Sequence, residues 1–255
     1  MTFNISDLGL EIHRCYDEFG PIRVFENGAL RYLAFGEAAE QSCINLHHPS
    51  ILIYEYTQAM MLALLYLPKP KQVTFLGLGA GSLVHALHHY DQSLDIVVVE
   101  LREKVVEIAQ EWFALEVFPE LTLEIGDAAQ YIANKYPLSD LIFADIYNDE
   151  GMIEAQLSSS FLSDCYQNLS DDGILVLNLW DEGGGSHPLA IQAIRDLFGS
   201  NHCMTCLIED GNLIAYAFKN GVPENNIRRL QPMAKKLAKK MDIPIHKLLS
   251  RMKIT

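Results

Sequence analysis

Three acids stand where a carboxylate can do chemistry. Glu100 closes the apolar run "DIVVVE", Asp127 follows "LEIG", and Asp145 follows "LIFA". Upstream, residues 73–83 read "VTFLGLGAGSL", an apolar run ending in Gly77, Gly79 and Gly81. Glycines spaced one apart suit a strand that turns sharply into a helix around a ligand. Three ligand classes compete for that loop. A triphosphate loop needs Gly-Lys-Ser/Thr, with the lysine on the phosphates; here Gly81-Ser82 is followed by Leu83. A dinucleotide site wants G-x-G-x-x-G; Gly77 and Gly79 fit, but Ser82 holds the third place. That reading is weakened rather than excluded. An S-adenosyl nucleoside is the third.

The acids discriminate further. The spacing of Glu100 from the loop suits a carboxylate that takes both ribose hydroxyls, as dinucleotide and S-adenosyl sites do. Asp127 is placed to accept from an adenine amino group, the methyl-donor pattern. Ligands of open α/β sheets lie beyond the carboxyl ends of the strands, so loop, Glu100, Asp127 and Asp145 converge on one crevice. Three carboxylates without a lysine or arginine suit a cation and repel pyrophosphate. A sulfonium nucleoside is cationic, and so is an amine acceptor. Each acid alone reads as a strand-end turn or a helix cap; three in succession after a glycine loop favour a site.

The elements that must hold these groups alternate. Strands are expected at Val73–Gly77, Asp95–Glu100, Leu121–Ile125, Asp140–Asp145 and Gly173–Leu179, with helices such as "REKVVEIAQEWF" and "SSSFLSDCYQNL" between them. That pattern predicts α/β: a Rossmann-like, methyltransferase-type parallel sheet with helices on both faces. A closing antiparallel hairpin is expected in "CMTCLIEDGNLIAYAFK", turning at Asp210-Gly211. Residues 1–48 form a small β-rich region with a hairpin at Asn27-Gly28. Residues 49–220 form the nucleoside-binding domain and open on one buried helix, from Pro49 to about Leu67. Residues 221–255 form a basic helical tail, with Leu230, Met233, Leu237 and Met241 on one stripe and a break at Pro244.

The net charge of −14 is uneven: from Ile227 onward nine Lys/Arg face one Asp, so the tail is +8 and the remainder −22. An acidic body argues against nucleic acid as a substrate and for cationic ligands. The basic tail reads as a solvated helix face. No window supports a membrane span and the first residues do not read as a secretory signal. Five scattered cysteines suit a reduced, cytoplasmic protein. Cys203 and Cys206 fall on a strand, where positions three apart point to opposite faces, so no metal or redox site is expected there. No metal motif occurs elsewhere.

From Pro21 to Lys219 the chain resembles the spermidine synthase (polyamine aminopropyltransferase) family. The likeness rests on the N-terminal hairpin, then "QSCINLHHPSILIYEYTQAM", "PKPKQVTFLGLGAGSL", "VVVE", "GDAAQYI" and "DLIFADIYNDEG" in that order. It implies decarboxylated S-adenosylmethionine as donor and an amine as acceptor. By this resemblance Gly77, Gly79 and Gly81 match the donor loop, Glu100 the ribose acid and Asp127 the adenine acid. Gln41 matches a glutamine near the donor. Asp145 matches the acid that deprotonates the amine, assisted by Tyr54; an ammonium cannot attack until it loses a proton. The family often forms homodimers, so one is expected here.

Departures are equally specific. Ala80 stands where the family usually has an aspartate for the donor's aminopropyl ammonium. After Asp145 the family's Asp-Ser-x-Asp-Pro-x-Gly-Pro is here "DIYNDEGM", with Asp149 one position beyond the second acid. Its Tyr-His-Glu is Tyr54-Glu55-Tyr56. Methyl transfer from S-adenosylmethionine is therefore the second reading, a non-catalytic nucleoside-binding or interaction protein the third, and a nicotinamide oxidoreductase a distant fourth. His47-His48 read as polar loop residues. The stretch "WDEGGGSHP" reads as a flexible loop, with His187 at the rim of the crevice.

Overall fold

The computed structural model describes residues 8–36, 39–134, 137–148, 151–180, 186–209, 211–223 and 227–255, with the side chains of 39–41 and 227 outside it. Gln41, Asp149, Asp210 and most of the "WDEGGGSHP" stretch therefore fall outside the described side chains.

Four strands, β1 (Leu10–Asp17), β2 (Gly20–Asn27), β3 (Leu30–Phe35) and β4 (Ala39–Asn45), form an antiparallel meander. The β2–β3 hairpin turns at Asn27-Gly28 with Gly28 at φ +63°. Two short helices follow, α1 (Glu55–Met60) and α2 (Ala63–Tyr66), where the sequence suggested one. Tyr54 is extended (φ −81°, ψ 139°), and the Gln58 side-chain amide donates to the Leu52 carbonyl at 2.8 Å, so helix begins only at Glu55. A tight turn, Leu62 N–H to the Ala59 carbonyl at 2.8 Å, separates the pair.

The alternating region supplies β5 (Gln72–Leu76), α3 (Ser82–Tyr90), β6 (Asp95–Glu100), α4 (Glu103–Trp112), β7 (Leu121–Ile125), α5 (Ala128–Ile132) and β8 (Ser139–Ala144). A two-stranded ribbon, β9 (Tyr147–Asn148) and β10 (Gly151–Met152), and a 3-10 turn at Glu154–Leu157 lead into α6 (Ser159–Asn168). Then come β11 (Leu169–Trp180), α7 (Pro188–Phe198), β12 (Cys203–Leu207), β13 (Asn212–Phe218), α8 (Ile227–Met241) and β14 (Met252–Ile254). The large sheet runs β14-β12-β13-β11-β8-β5-β6-β7. Strands β11, β8, β5, β6 and β7 are parallel, and β13, β12 and β14 close the sheet antiparallel.

Two apolar layers cover the sheet. Phe75, Phe143, Val176 and Tyr216 meet residues of α1, α2, α3 and α8 on one face; Leu76, Ile142, Leu175 and Leu177 meet α5, α6 and α7 on the other. Cys206 lies in the first layer and Cys203 in the second, as their spacing on a strand requires. A third cluster joins the N-terminal sheet (Ile22, Val24, Leu33) to α4 (Val105, Ile108) and takes in Ala80.

The tail docks on α2 and α3 through α8. Its buried stripe is Leu230, Ala234, Leu237, Ala238 and Met241, whereas Met233 is 39% exposed. Nor is the tail helical throughout: β14 pairs with β12, Thr205 opposite Lys253. No described helix is long and apolar enough to cross a membrane.

Candidate active site

The chain steps from β5 to β6 to β7 and then returns to the other side of β5 with β8. That reversal opens a crevice at the carboxyl ends of β5 and β8, where open α/β sheets bind ligands. A cavity of about 1230 Å³ occupies it, and Tyr54, Gly77, Gly79, Glu100, Asp127 and Asp145 all line it. Gly81 does not; with φ +76° it turns the chain into α3 and packs toward Leu115.

The glycine loop is shaped by close approach. At Gly77 (φ +101°) a Cβ would collide with the Asp145 carbonyl oxygen. Gly77 N–H donates to the Val99 carbonyl at 2.9 Å and Asp145 N–H to the Leu76 carbonyl at 3.0 Å, so the ends of three strands meet here. Gly79 (φ +57°) lies against Ser42 of the N-terminal sheet.

Glu100 is buried, and burial raises its pKa. One carboxylate oxygen accepts the Leu78 N–H at 3.0 Å and the other the Arg102 N–H at 2.9 Å. The Leu101 N–H also donates to this carboxylate, which with about four lone-pair sites keeps acceptor capacity for a ribose hydroxyl. Asp127 is exposed toward solvent and cavity and caps α5 by accepting the Gln130 N–H at 2.8 Å, which leaves its second oxygen.

The sequence led us to expect no arginine here, yet Arg102 lines the cavity. Its guanidinium is taken: Nε and Nη2 donate to Asp17 at 2.9 and 2.7 Å, and Nη2 to the Gly20 carbonyl at 2.8 Å. Phe35 lies against it, 4.6 Å from ring centre to guanidinium carbon. This buried pair ties the β1–β2 turn to the end of β6, beside Glu100.

Asp145 sits in a network that the motifs did not reveal. Asn178 Nδ2 donates to Asp145 Oδ1 at 2.8 Å, and Asn212 Nδ2 donates to Asn178 Oδ1 at 2.9 Å. Tyr56 also donates its hydroxyl to Asp145. Tyr147 donates its hydroxyl to the Asn178 carbonyl at 3.3 Å. Because Asn212 occupies Asn178 Oδ1, the Asn178 amide nitrogen must face Asp145. Burial pushes the Asp145 carboxyl up to about 6, against the pull of its two donors. A group poised there is a base near neutral pH.

The departed Tyr-His-Glu triad is now legible. Tyr56 reaches Asp145, while Glu55 turns away to Arg251 of the tail at 2.8 Å. The Tyr54 hydroxyl is buried with no hydrogen-bond partner among the described residues, and its ring stacks on Tyr56 with centroids 5.8 Å apart. His47 and His48 are exposed and off the cavity. His187 is buried on the cavity wall, where its Nδ1 accepts the Ala190 N–H at 3.3 Å and caps α7. Asn178 carried a signal in the sequence: a lone amide inside the apolar strand "ILVLNLW" needs a partner. Among the described residues no three His, Cys, Asp or Glu side chains gather as a metal site would require.

The family model for the spermine/spermidine synthase domain matches residues 54–181. A polyamine aminopropyltransferase of Neisseria meningitidis is 32% identical over 238 residues, 92% of this chain and 90% of that protein. A spermidine synthase solved with the transition-state analogue AdoDATO superposes with a TM-score of 0.73 at 18% identity, covering 94% of this chain and 83% of its own. Human methyltransferase-like protein 13, solved with SAH, superposes with a TM-score of 0.65 at 23% identity, covering 75% of this chain and 94% of its own. At these identities the two structures speak for the fold alone.

Proposed function

This chain belongs to the spermine/spermidine synthase family, a family of transferases, and from that premise we propose that it moves an aminopropyl group from decarboxylated S-adenosylmethionine to a small amine. The observation that carries the reading is Asp145, a carboxylate held by Asn178 and Tyr56 on the wall of a cavity that also presents Glu100 and Asp127. Asp145 takes a proton from the acceptor ammonium. The freed nitrogen forms a bond to the aminopropyl carbon beside the sulfonium as the carbon–sulfur bond breaks. Its electron pair returns to sulfur, releasing neutral methylthioadenosine. The Asp145 charge also holds the cationic acceptor beside the electrophile.

The residues fit such a donor. Glu100 keeps acceptor capacity for a ribose, Asp127 keeps one free oxygen for an adenine amino group, and the Tyr54 hydroxyl lacks a protein partner among the described residues. The charge balance favours the decarboxylated donor. Among the described lining residues Arg102 is the sole arginine or lysine, and its guanidinium is committed to Asp17. A donor carboxylate would meet Asp145, Glu100, Asp127 and Glu154 with no free cation to balance it.

One observation favours methyl transfer as the second reading. Ala80 is fully buried in the cluster between the N-terminal sheet and α4, so the loop places no carboxylate there for an aminopropyl ammonium. Calorimetric titration with decarboxylated S-adenosylmethionine, S-adenosylmethionine, methylthioadenosine and NAD separates the readings. Preference for the decarboxylated donor, with turnover on a di- or polyamine, is the expected result. Preference for the carboxylated donor would favour methyl transfer. Binding without turnover of any amine would favour a non-catalytic role, and binding of NAD alone would overturn the proposal.

A further inference from the structure

Gln156 belongs to no motif of the family resemblance, yet it is the most conspicuous polar side chain in the cavity wall. It is 1% exposed, and neither Oε1 nor Nε2 has a hydrogen-bond partner among the described residues. A buried amide with both ends unmatched costs free energy unless something else supplies the matching donor and acceptor. Its backbone is fixed: the 3-10 turn Glu154–Leu157 is closed by Gln156 N–H to the Ile153 carbonyl at 3.2 Å and by Ser158 N–H to the Ala155 carbonyl at 3.1 Å. The adjoining Leu157 packs into the apolar layer that contains Ala128, the residue after Asp127. Gln156 therefore lines the cavity that Asp127 and Asp145 share, next to the apolar layer that carries α5.

The chemistry of the two ligands decides which one the amide meets. A cationic amine offers only donors, so half of a carboxamide would be wasted on it or repel it. An adenine edge offers an amino donor beside a ring-nitrogen acceptor, which a glutamine amide matches as a bidentate pair. Asp127 accepts only, so it can take one amino hydrogen but leaves the ring nitrogens unmatched.

We propose that Gln156 is a specificity residue that reads the adenine of the donor, Oε1 accepting from the exocyclic amino group and Nε2 donating to an adjacent ring nitrogen. The inference rests on the nucleoside reading above and deepens it. The base is then recognised by a paired hydrogen bond as well as by Asp127, and base-modified donors are discriminated at this position.

The test titrates 5′-methylthioadenosine and its 1-deaza and 7-deaza analogues into the wild type and Q156L. In the wild type one deaza analogue is expected to bind about tenfold more weakly than the parent, the loss of one hydrogen bond whose buried partner is left unmatched. In Q156L the parent weakens by a similar factor and that analogue's penalty disappears. Thermal melting of ligand-free Q156L at or above the wild-type temperature is expected, since leucine leaves no unmatched amide. Equal ratios among the three ligands in both proteins would overturn the inference while leaving the nucleoside site standing. Failure of the wild type to bind any of the three would overturn the nucleoside reading and this inference together.

Discussion

Replacing Asp145 by asparagine is expected to remove activity and at the same time to stabilise the free protein. The carboxyl is raised from 3.8 to about 6 by burial, about two pH units, so its charged form is held at a cost of about 3 kcal/mol. The sign follows from linkage. A folded-state pKa above the unfolded value means that the native state binds the proton more tightly. The contribution to stability is present below about 3.8 and is lost as pH rises through about 6. At pH 8 the wild type bears the full cost and D145N bears none. The substitution keeps the acceptor for Asn178 Nδ2 but sets an amide nitrogen against the Tyr56 hydroxyl, which takes back about 1 kcal/mol. The remaining gain of about 2 kcal/mol corresponds to a melting temperature about 4–8 °C higher for a chain of this size. Scanning calorimetry of both proteins between pH 4 and 8 is the assay: the gap is widest at pH 8 and closes toward pH 4. Turnover of D145N falls by about 10²–10⁴, and the wild-type rate rises with pH through a midpoint of about 6 to a plateau above about 7. A D145N protein that melts no higher than wild type at pH 8, or a wild-type rate flat from pH 5 to 7.5, would refute the reasoning.

Other substitutions probe the remaining groups. E100A should weaken every adenosyl ligand by about 10–100-fold, since a hydrogen bond to a charged group contributes about 1.5–3 kcal/mol; unchanged affinities in calorimetry would remove Glu100 from ribose binding. G77A drives a methyl against the Asp145 carbonyl from a left-handed backbone, so stability should drop by at least about 2 kcal/mol and turnover should collapse; a denaturation midpoint equal to wild type would refute that packing. Y54F deletes a buried hydroxyl that has no protein partner among the described residues. Melting should hold or rise while kcat falls about tenfold or more, and an unchanged kcat would leave Tyr54 a packing residue.

The sheet and its ligand-bearing end were legible because they rest on local chemistry. Apolar runs mark β5, β6 and β8, and glycine or acid marks the end of each. What escaped the sequence depends on contacts between distant segments. Tyr56 donates to Asp145, whereas Tyr54, the tyrosine expected to assist it, has a buried hydroxyl with no partner among the described residues. Arg102 was not expected in the crevice; it lines it with its guanidinium bound to Asp17, 85 residues away on the β1–β2 turn. Asn178 and Asn212 join only through the pairing of β11 with β13. Ala80, read as a gap in the donor loop, is a packing residue under the N-terminal sheet. The Pro49 to Leu67 segment looked like one helix because its apolar character is continuous, and composition does not register the tight turn at Leu62.

The last strand has a consequence for handling the protein. Strand β12 is buried along Cys203–Cys206, and β14 covers its outer side, with Thr255 N–H donating to the Cys203 carbonyl at 3.1 Å. Without residues 252–255, an apolar strand would present a row of unsatisfied backbone groups, a ready template for a second chain. The opposite border, β7, turns Thr122 and Glu124 to solvent together with an exposed Ile125. Removal of residues 252–255 would therefore act on self-association through β12.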